Sequence, residues 1–395
     1  MSRLSELIAE LCPDGVEYKT LGEVIVLCFG ERITKSKSIG TAYPVYGGGG
    51  ESFRTDNWNR EDKCVVSRFA MSEQCVRHVS GKFWLMDSGL TFEAIDSRLD
   101  EIYIEKWLSA NQLKIYACST KSAQRNLKTD LFLRLRIPVP PLEVQREIVR
   151  ILDEYTAAHD ELVRKLEEET ALREQQLSLV RNQLLTFSER ESKESKVKRM
   201  ALGEVGVFIR GSSFQKKHFV ENGVPCIHYG QVHTKFNIAT DEVVSYLDEG
   251  FAAKMKRAQP GDLIIATTSE DDDAVGKAVA WVGDMDVVVS NDAYIYRHEL
   301  DPKYMSYVFA SDLFQKPKRQ YITGTKVRRL NGQNMSKIVI PVPPLEVQRG
   351  IVRVLDEYTA AHDELAEQLE AERETRERQL SLIRDQLLSF PEKVA

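Results

Sequence analysis

The sequence lacks the long apolar run that a membrane-spanning helix requires. No stretch of about 18 hydrophobic residues occurs among its 395 residues. The first residues carry Glu6 and Glu10 where a signal peptide would be apolar. We therefore expect a cytoplasmic protein that does not bind membranes.

Paired cysteines are also missing. The six cysteines are scattered and form no CxxC pair, as their positions show: Cys12, Cys28, Cys64, Cys75, Cys118 and Cys226. This spacing predicts reduced thiols and neither a disulfide framework nor a zinc site.

Sequence motifs of common catalytic sites are absent as well. There is no GxxxxGK[ST] phosphate loop, no HExxH zinc motif and no Asn-Pro-Pro-aromatic motif of a methyltransferase. The letters of a PD…ExK nuclease occur from Pro13 to Lys19, but such carboxylates normally come from separate strands, whereas these lie in one predicted turn. His159 and His362, each followed by Asp, fit helix packing or capping. We expect a chain with no catalytic residue and no bound metal.

What the sequence does contain is a long internal repeat. Residues 137–187 recur as residues 340–390 without a gap, and 38 of the 51 positions are identical. The segments that precede the two copies share little beyond short matches such as Leu-Gly-Glu-Val, which begins at Leu21 in one and at Leu202 in the other. With 42% hydrophobic residues, the chain can bury more than one core. The sequence therefore predicts two different globular domains, each followed by a nearly identical support.

Each copy of the repeat is predicted to be a long helix. Pro140-Pro141 and Pro343-Pro344 end an extended segment, and proline suits the first turn of a helix. Apolar residues then recur at helical spacing, which predicts a coiled-coil seam, with an interruption around Thr170 to Arg173. The residues predicted to form the seam or to contact partners are Leu142, Ile148, Leu152, Leu177, Val180, Leu184, Leu345, Ile351, Leu355, Leu380, Ile383 and Leu387.

The predicted fold class is α+β. Short strand-like runs such as Cys64 to Ser67 and Leu263 to Ala266 alternate with turns, and helix-like stretches follow at Ile104 to Leu113 and Tyr304 to Phe314. We expect two globular α+β domains separated by two long helices that form an antiparallel coiled coil with approximate twofold symmetry. The predicted segments are 1–136, the first repeat 137–187, a charged, solvated connector 188–200, 201–339, the second repeat 340–390 and a tail 391–395.

The charge of the chain is unevenly distributed. The net charge is −6, but residues 142–187 carry −4 and residues 345–390 carry −5, so the remainder carries +3. Basic residues on Gly- and Ser-rich loops can hold DNA phosphates, and Arg, Asn, Gln and Ser can also read base edges; either role is open to each candidate. The candidate DNA-binding residues are Lys35, Lys37, Arg54, Arg60, Lys121, Gln124, Arg125, Asn126, Arg210, Ser212, Ser213, Gln215, Lys216, Lys217, Lys326, Arg328 and Arg329.

This plan resembles the specificity subunit of type I restriction-modification enzymes. The segment IPVPPLEVQR at 137–146 and at 340–349 is similar to the family's Pro-Pro-Leu followed by a glutamine at the start of a long helix. The ends QLLTF at 183–187 and QLLSF at 386–390 are also similar, and the resemblance covers essentially the whole chain. One departure is that Val144 and Val347 stand where many members carry an acidic residue.

The resemblance implies two target-recognition domains that each read one half of a bipartite, asymmetric DNA site. It also implies two adenine methyltransferase subunits that use S-adenosylmethionine, and a motor-nuclease subunit that uses ATP and magnesium. The chain itself would bind no cofactor. From the residues alone, two unlike domains predict two unlike half-sites, with the helices setting their spacing.

Three other interpretations are compatible with the sequence. A coiled-coil scaffold would bind proteins at both globular ends. A stand-alone nuclease would use the early carboxylates. A recombined specificity subunit could have lost its activity, because near-identical repeats favour exchange between them.

Overall fold

A computed structural model describes residues 3–35 and 40–393. The chain forms two compact units, Met1–Leu166 with Glu370–Ala395, and Glu167–Leu369. Each unit therefore combines one globular domain with the first part of one long helix and the last part of the other.

A mixed sheet forms the centre of the first unit. The strands are β1 (Glu17–Thr20), β2 (Ile25–Phe29), β3 (Tyr43–Tyr46), β4 (Glu51–Thr55), β5 (Arg60–Ser67), β6 (Val76–Leu85), β7 (Gly89–Ala94) and β8 (Arg136–Val139). The sheet order is β2-β7-β5-β6-β3-β4, and its pairs are antiparallel except for the parallel pair β3-β6, while β1 and β8 form a separate antiparallel pair. Side chains alternate across β5, so Val66 enters the main core whereas Val65 joins a small cluster on the opposite face.

Five helices cover the main core of the first unit. They are α1 (Arg3–Leu11), α2 (Leu21–Val24), α3 (Glu101–Ala110), α4 (Gln112–Ala117) and α5 (Thr129–Leu133). The predicted helical stretch Ile104 to Leu113 is thus divided at Asn111 into α3 and α4. Asp100 caps α3, since its carboxylate accepts a hydrogen bond of 2.9 Å from the backbone N–H of Ile102.

The first repeat forms helix α6 (Leu142–Leu185), which begins directly after the proline pair. The helix runs unbroken through Thr170 to Arg173, although residues 171–175 are exposed. The predicted interruption of the apolar seam is therefore a stretch of exposed side chains in a continuous helix.

The second unit contains two five-stranded sheets. Its strands are β9 (Lys198–Ala201), β10 (Gly206–Arg210), β11 (Phe219–Val220), β12 (Val224–Ile227), β13 (Ala239–Thr240), β14 (Tyr246–Leu247), β15 (Arg257–Ala258), β16 (Leu263–Ala266), β17 (Thr268–Ser269), β18 (Ala278–Trp281), β19 (Val287–Val289), β20 (Ala293–His298), β21 (Arg328–Arg329) and β22 (Val339–Val342). The orders are β10-β20-β16-β18-β13 and β11-β14-β12-β19-β15, with β17-β21 and β22-β9 as separate pairs. The helices are α7 (Glu189–Glu194), α8 (Leu202–Val205), α9 (Tyr229–Thr234), α10 (Glu249–Ala252), α11 (Pro302–Ala310), α12 (Asp312–Lys318), α13 (Gly332–Met335) and the single-turn 3-10 helices Lys216–His218 and Arg319–Tyr321.

The charged connector contains a short helix, and most of its residues are exposed. Ser188 accepts a hydrogen bond from the N–H of Glu191, and Glu191 accepts one from the N–H of Ser188. This reciprocal capping box starts α7, and the connector then enters β9. The Ser-x-x-Glu signature of a capping box is present in the sequence, but the connector was predicted from its charge and this signature was not used.

The second repeat forms helix α14 (Leu345–Leu387), and the two repeats pack in opposite directions within each unit. In the first unit, Ile148 and Leu152 near the start of α6 share a core with Leu388 just after the end of α14. In the second unit, Ile351 and Leu355 near the start of α14 share a core with Leu185 at the end of α6. The predicted antiparallel pairing and the α+β class are confirmed.

Several seam positions differ from the prediction. Leu345 is 44% exposed, because the apolar contact at this turn is made by Val347, and by the fully buried Val144 in the first copy. At the other end, Leu185 and Leu388 are buried more deeply than their neighbours Leu184 and Leu387. The two histidines pack in the seam: His159 lines a cavity with Leu380 and Ile383, and His362 lines one with Leu177.

A buried glutamine fixes each long helix to its globular domain. The amide oxygen of Gln145 accepts a hydrogen bond of 2.9 Å from the N–H of Asp100, the cap of α3, and its Nε2 donates to the carbonyls of Arg98 and Pro140 at 2.6 and 2.7 Å. Gln348 makes the matching bonds to Asp301, the cap of α11, and to Pro343, at 2.9 and 2.7 Å. Both side chains are almost completely buried, which accounts for the glutamine in the repeated PPLEVQ segment.

The tail closes onto the beginning of the same unit. The N–H of Val16 donates to the carbonyl of Pro391, and the N–H of Lys393 donates to the carbonyl of Val16, both at 2.9 Å. Arg136 forms an ion pair with Glu392. Gly15 has φ +88°, and a side chain there would collide with Pro391, so glycine is required at this contact.

We expect Gln145→Leu to lower the free energy of unfolding by roughly 3 kcal/mol, because the substitution leaves the buried N–H of Asp100 and two carbonyls without partners. Urea or thermal unfolding of the purified chain measures the change. Gln175→Leu, at an exposed position of the same helix, should change stability by less than about 0.5 kcal/mol. Equal effects of the two variants would contradict the anchoring role.

Candidate nucleic-acid interface

Loops from distant parts of the chain meet at the strand ends of each main sheet. In the first unit, four segments form a surface that we call the first cleft. They are the end of β2 at Phe29, residues 67–70 after β5, the turn 86–89 before β7 and the hairpin 119–127. In the second unit, the second cleft is formed by four corresponding segments. They are the end of β10 at Arg210, residues 266–269, the turn 290–293 before β20 and the hairpin 323–330. The backbone bonds described next bring these segments together in each unit.

The two clefts share one backbone frame. The first cleft has four defining hydrogen bonds from backbone N–H to carbonyl: Gly30 to Gly89 (3.2 Å), Arg68 to Ser88 (2.8 Å), Leu127 to Arg68 (2.8 Å) and Thr120 to Asn126 (2.9 Å). The second cleft has the same four: Gly211 to Ala293 (3.1 Å), Thr267 to Asp292 (3.0 Å), Leu330 to Thr267 (3.1 Å) and Thr323 to Arg329 (3.0 Å). These bonds establish which positions of the two domains are structurally equivalent.

Glycine is needed at the same point of both frames. A Cβ added to Gly30 would overlap the carbonyl oxygen of Met86, and one added to Gly211 would overlap that of Ser290. The strand end thus crosses the neighbouring turn too closely for any side chain. This contact keeps the edge of the cleft in place while the surrounding side chains differ.

The second cleft is polar and contains both donors and acceptors. Its volume is about 250 Å³, and its walls are Arg210, Thr267, Thr268, Asn291, Asp292, Tyr294, Thr323, Arg329, Leu330 and Asn331. Arg210 donates from Nε to the carbonyl of Asn291 at 3.1 Å, and the hydroxyl of Thr268 lies 3.4 Å from a carboxylate oxygen of Asp292. Guanidinium, amide, hydroxyl and carboxylate groups are those that read base edges in DNA.

The first cleft presents different chemistry on the same frame. The guanidinium of Arg68 lies over the rings of Phe29 and Phe69, at 4.6 and 4.7 Å from their centroids. Arg125 lies over the ring of Tyr116 at 4.4 Å. The first cleft is therefore aromatic and basic, whereas the second combines Arg210 and Arg329 with Asp292.

Sequence comparison decides the family. The profile described as the type I restriction modification DNA specificity domain matches residues 13–170 and 194–374. The chain belongs to this family. The two matched segments each include one target-recognition domain with its cleft.

Individual relatives agree with this assignment. The EcoR124I/EcoR124II specificity subunit of Escherichia coli is 29% identical over 277 residues, which span 65% of this chain and 63% of that protein. A putative type I restriction enzyme specificity subunit of Haemophilus influenzae is 24% identical over 387 residues, spanning 95% of this chain and 96% of the relative.

Two solved structures share the fold. One was determined to explain complex assembly and conformational transition of the type I R-M system; it has a TM-score of 0.73 at 17% identity and covers 95% of this chain and 98% of its own. The HsdS subunit from Thermoanaerobacter tengcongensis has a TM-score of 0.50 at 19% identity, with 96% and 97% covered. The family assignment supports DNA sequence specificity as the function of the chain.

Many of the predicted DNA-binding residues lie in or beside the clefts. The hairpin of the first cleft carries Lys121, Gln124, Arg125 and Asn126, and that of the second carries Lys326, Arg328 and Arg329. Arg210 lies in the second cleft, and Ser213, Gln215, Lys216 and Lys217 follow it on an exposed segment. Lys35 is exposed in a turn, and Lys37 lies outside the described residues.

Other predicted residues are occupied by internal contacts. Arg60 donates to Thr91, to the carbonyl of Asn59 and to that of Phe29 at 2.7 to 3.0 Å. Arg54 similarly donates to the carbonyls of Thr41 and Ala42 at 2.8 and 3.1 Å. These bonds favour structural roles for both arginines.

Two predicted residues of the second domain are also engaged. Ser212 accepts a hydrogen bond of 2.9 Å from the N–H of Lys256. The Nε of Arg328 lies 2.8 Å from Asp272, and its Nη1 donates to the carbonyl of Gly324 at 2.6 Å. Arg329, which neighbours Arg328 in sequence, lines the second cleft.

Several residues that line the clefts from the strand ends were not among the predicted DNA-binding residues. Arg68, Phe69, Thr267, Thr268, Asn291 and Asp292 belong to this group. Two features of the sequence could have located the clefts. One is the glycine that follows a strand in each domain, Gly30 and Gly211, and the other is the leucine that the two hairpins share, Leu127 and Leu330.

The early nuclease-like letters have a structural explanation. Glu17 pairs with Arg98, and Lys19 pairs with Asp96, both at 2.9 Å. Hydrogen bonds from Arg98 and then Lys19 hold the pKa of Asp96 well below its usual range. Across the described ranges, no group of three or more His, Cys, Asp or Glu is placed to hold a metal, the six cysteines are unpaired, and no helix is long and apolar enough to cross a membrane.

We expect the double variant Arg210→Ala, Arg329→Ala to bind target DNA about ten- to a hundredfold more weakly, because two exposed cations of the second cleft are lost. Arg60→Ala should instead lower the melting temperature and leave DNA affinity unchanged, since its guanidinium serves the fold. Fluorescence anisotropy at several salt concentrations, with the chain in complex with its partners, measures affinity. A larger loss of affinity in Arg60→Ala would overturn this assignment.

Proposed function

We propose that this chain is the specificity subunit of a type I restriction-modification complex, in which each globular domain reads one half of a bipartite, asymmetric DNA site. The observation that carries the proposal is the shared frame with unlike side chains. Phe29 and Arg68 occupy the positions that Arg210 and Thr267 occupy in the second domain. Unlike surfaces on one backbone read unlike sequences.

The chain would act without catalysing a reaction. Two adenine methyltransferase subunits using S-adenosylmethionine, and motor-nuclease subunits using ATP and magnesium, would carry out the chemistry. The chain itself would bind none of these cofactors. Its two long helices, each shared by both units, would set the number of unspecified base pairs between the half-sites.

The exposed faces of the long helices support docking of two copies of one partner. Leu179 and Leu382, at equivalent positions of the repeat, are 57% and 61% exposed. Tyr155 and Tyr358 are a second exposed equivalent pair. Because the same exposed apolar residues recur in both copies of the repeat, a partner that contacts one helix would find an equivalent surface on the other.

Deleting the gene should abolish adenine methylation at one split, non-palindromic motif in the host genome. Replacing residues 201–339 with the corresponding domain of another specificity subunit should then change one half of that motif and retain the other. Single-molecule sequencing of methylated adenines measures both. An unchanged methylation map on deletion would contradict the proposal and favour the scaffold interpretation.

Leu179→Arg should remove one methyltransferase copy from the complex, as should Leu382→Arg, and the double variant should bind none. A charge placed in an apolar contact is costly to desolvate, which is the reason for the loss. Native mass spectrometry counts the subunits. Leu172→Arg is the matched control, because Leu172 is exposed but its counterpart Thr375 is polar; loss of a subunit from this control alone would refute the choice of surface.

A further inference from the structure

The aromatic clamp around Arg68 has no role in the core of its domain. The guanidinium of Arg68 lies over the rings of Phe29 and Phe69, yet the two phenylalanines are 45% and 40% exposed. Arginine stacks on aromatic faces through its planar, weakly hydrated guanidinium. The clamp therefore orients a charged group at the surface.

The backbone beside the clamp is strained. Ala70, which follows Phe69, has φ +47°, a left-handed conformation that residues other than glycine rarely adopt. The next residue is held by a hydrogen bond of 3.0 Å from the N–H of Met71 to the carbonyl of Arg125, in the hairpin of the first cleft. Strain of this kind persists where the surrounding structure enforces it, and it clusters at binding sites.

Arg68 is anchored but keeps donors available. Its Nη1 donates to the carbonyl of Asp87 at 3.1 Å, whereas its Nε and Nη2 make no hydrogen bond to any described part of the chain. Neighbouring arginines differ: Arg60 uses all three nitrogens internally, and Arg77 donates to the carbonyls of Gly48 and Gly49. Arg68 thus presents two nitrogens, Nε and Nη2, that have no hydrogen-bond partner within the described ranges.

The equivalent positions of the second domain lack this device. The backbone bonds place Thr267 where the first domain has Arg68, and Arg210 where it has Phe29. The next residue, Phe69, corresponds to Thr268. The clamp is therefore present in the first domain and absent from the equivalent positions of the second, within a backbone frame that the two domains share. Residues that distinguish the two half-sites are expected at such positions.

We propose that Arg68 is a specificity-determining residue of the first domain and reads a guanine in its half-site. The bidentate contact of arginine with O6 and N7 of guanine in the major groove fits a planar guanidinium with two free donors. Phe29 and Phe69 are positioning residues that restrict its plane. This inference rests on the proposed function, since it names a base within the half-site of the first domain.

The test compares Arg68→Ala, Arg68→Lys and Phe29→Ala/Phe69→Ala with Arg134→Ala, each in the assembled complex with its methyltransferase. Arg134 is an exposed arginine of the same domain outside the clefts, and its variant removes the same charge. Methylation maps and binding to DNA with single substitutions in the half-site are measured, each binding assay at three salt concentrations.

Both Arg68 variants should lose about 5- to 150-fold discrimination at one G·C pair of the first half-site. Recognition of the second half-site and the dependence of affinity on salt should stay as in the parent chain. The double phenylalanine variant should lose part of the discrimination with Arg68 still present. Arg134→Ala should keep the full motif.

Two results would overturn the inference. A uniform loss of affinity on all sequences, with the salt slope reduced by about one, would make Arg68 a phosphate contact. A lower melting temperature with the motif unchanged would make it a structural brace. Neither result touches the proposed function, which would fail only if the parent chain itself directed no methylation motif.

Discussion

The structure depends on the antiparallel packing of the two long helices, because neither helix can bury its apolar stripe alone. Helices α6 and α14 are nearly identical, so equivalent residues recur in both units: Ile148 and Ile351, or Leu185 and Leu388, occupy the same environment twice. Pairing the start of one helix with the end of the other satisfies both stripes. The buried glutamines then tie the start of each long helix to a helix cap of its own domain.

This arrangement separates what must stay constant from what can vary. The repeat, the glutamine bonds and the close crossings at Gly30 and Gly211 define a frame that tolerates little change, because buried polar groups and tight backbone contacts are costly to disturb. Side chains at the strand ends face outward from that frame. Phe29 and Arg210 can therefore occupy one position without altering the fold. Under the proposed function, this lets the two domains differ in specificity while they share one architecture.

The architecture could be predicted from the sequence, whereas the residues that line the clefts could not. Helical periodicity and the duplicated proline pairs predicted both long helices to within a few residues, since these signals are local. The clefts join segments as far apart as Phe29 and Leu127, and the decision between a reading and a structural arginine depends on contacts that no local pattern records. Arg60 and Arg68 illustrate this. The side chain of Arg60 donates three hydrogen bonds within its domain, whereas Nε and Nη2 of Arg68 donate none within the described ranges and its guanidinium lies over two aromatic rings.

The charge distribution limits how strongly the globular domains can hold DNA through phosphate contacts alone. Outside the helical segments 142–187 and 345–390 the chain carries only +3, and several arginines there are neutralised by internal contacts, as Arg328 is by Asp272. Each phosphate contact contributes affinity without sequence information, so a domain with few free cations binds DNA weakly and depends on base contacts for discrimination. Under the proposed function, partner subunits docked on the helices would supply most of the phosphate contacts, and the clefts would then select the sequence. A specificity subunit with a strongly basic surface would instead hold non-target DNA nearly as well as its target.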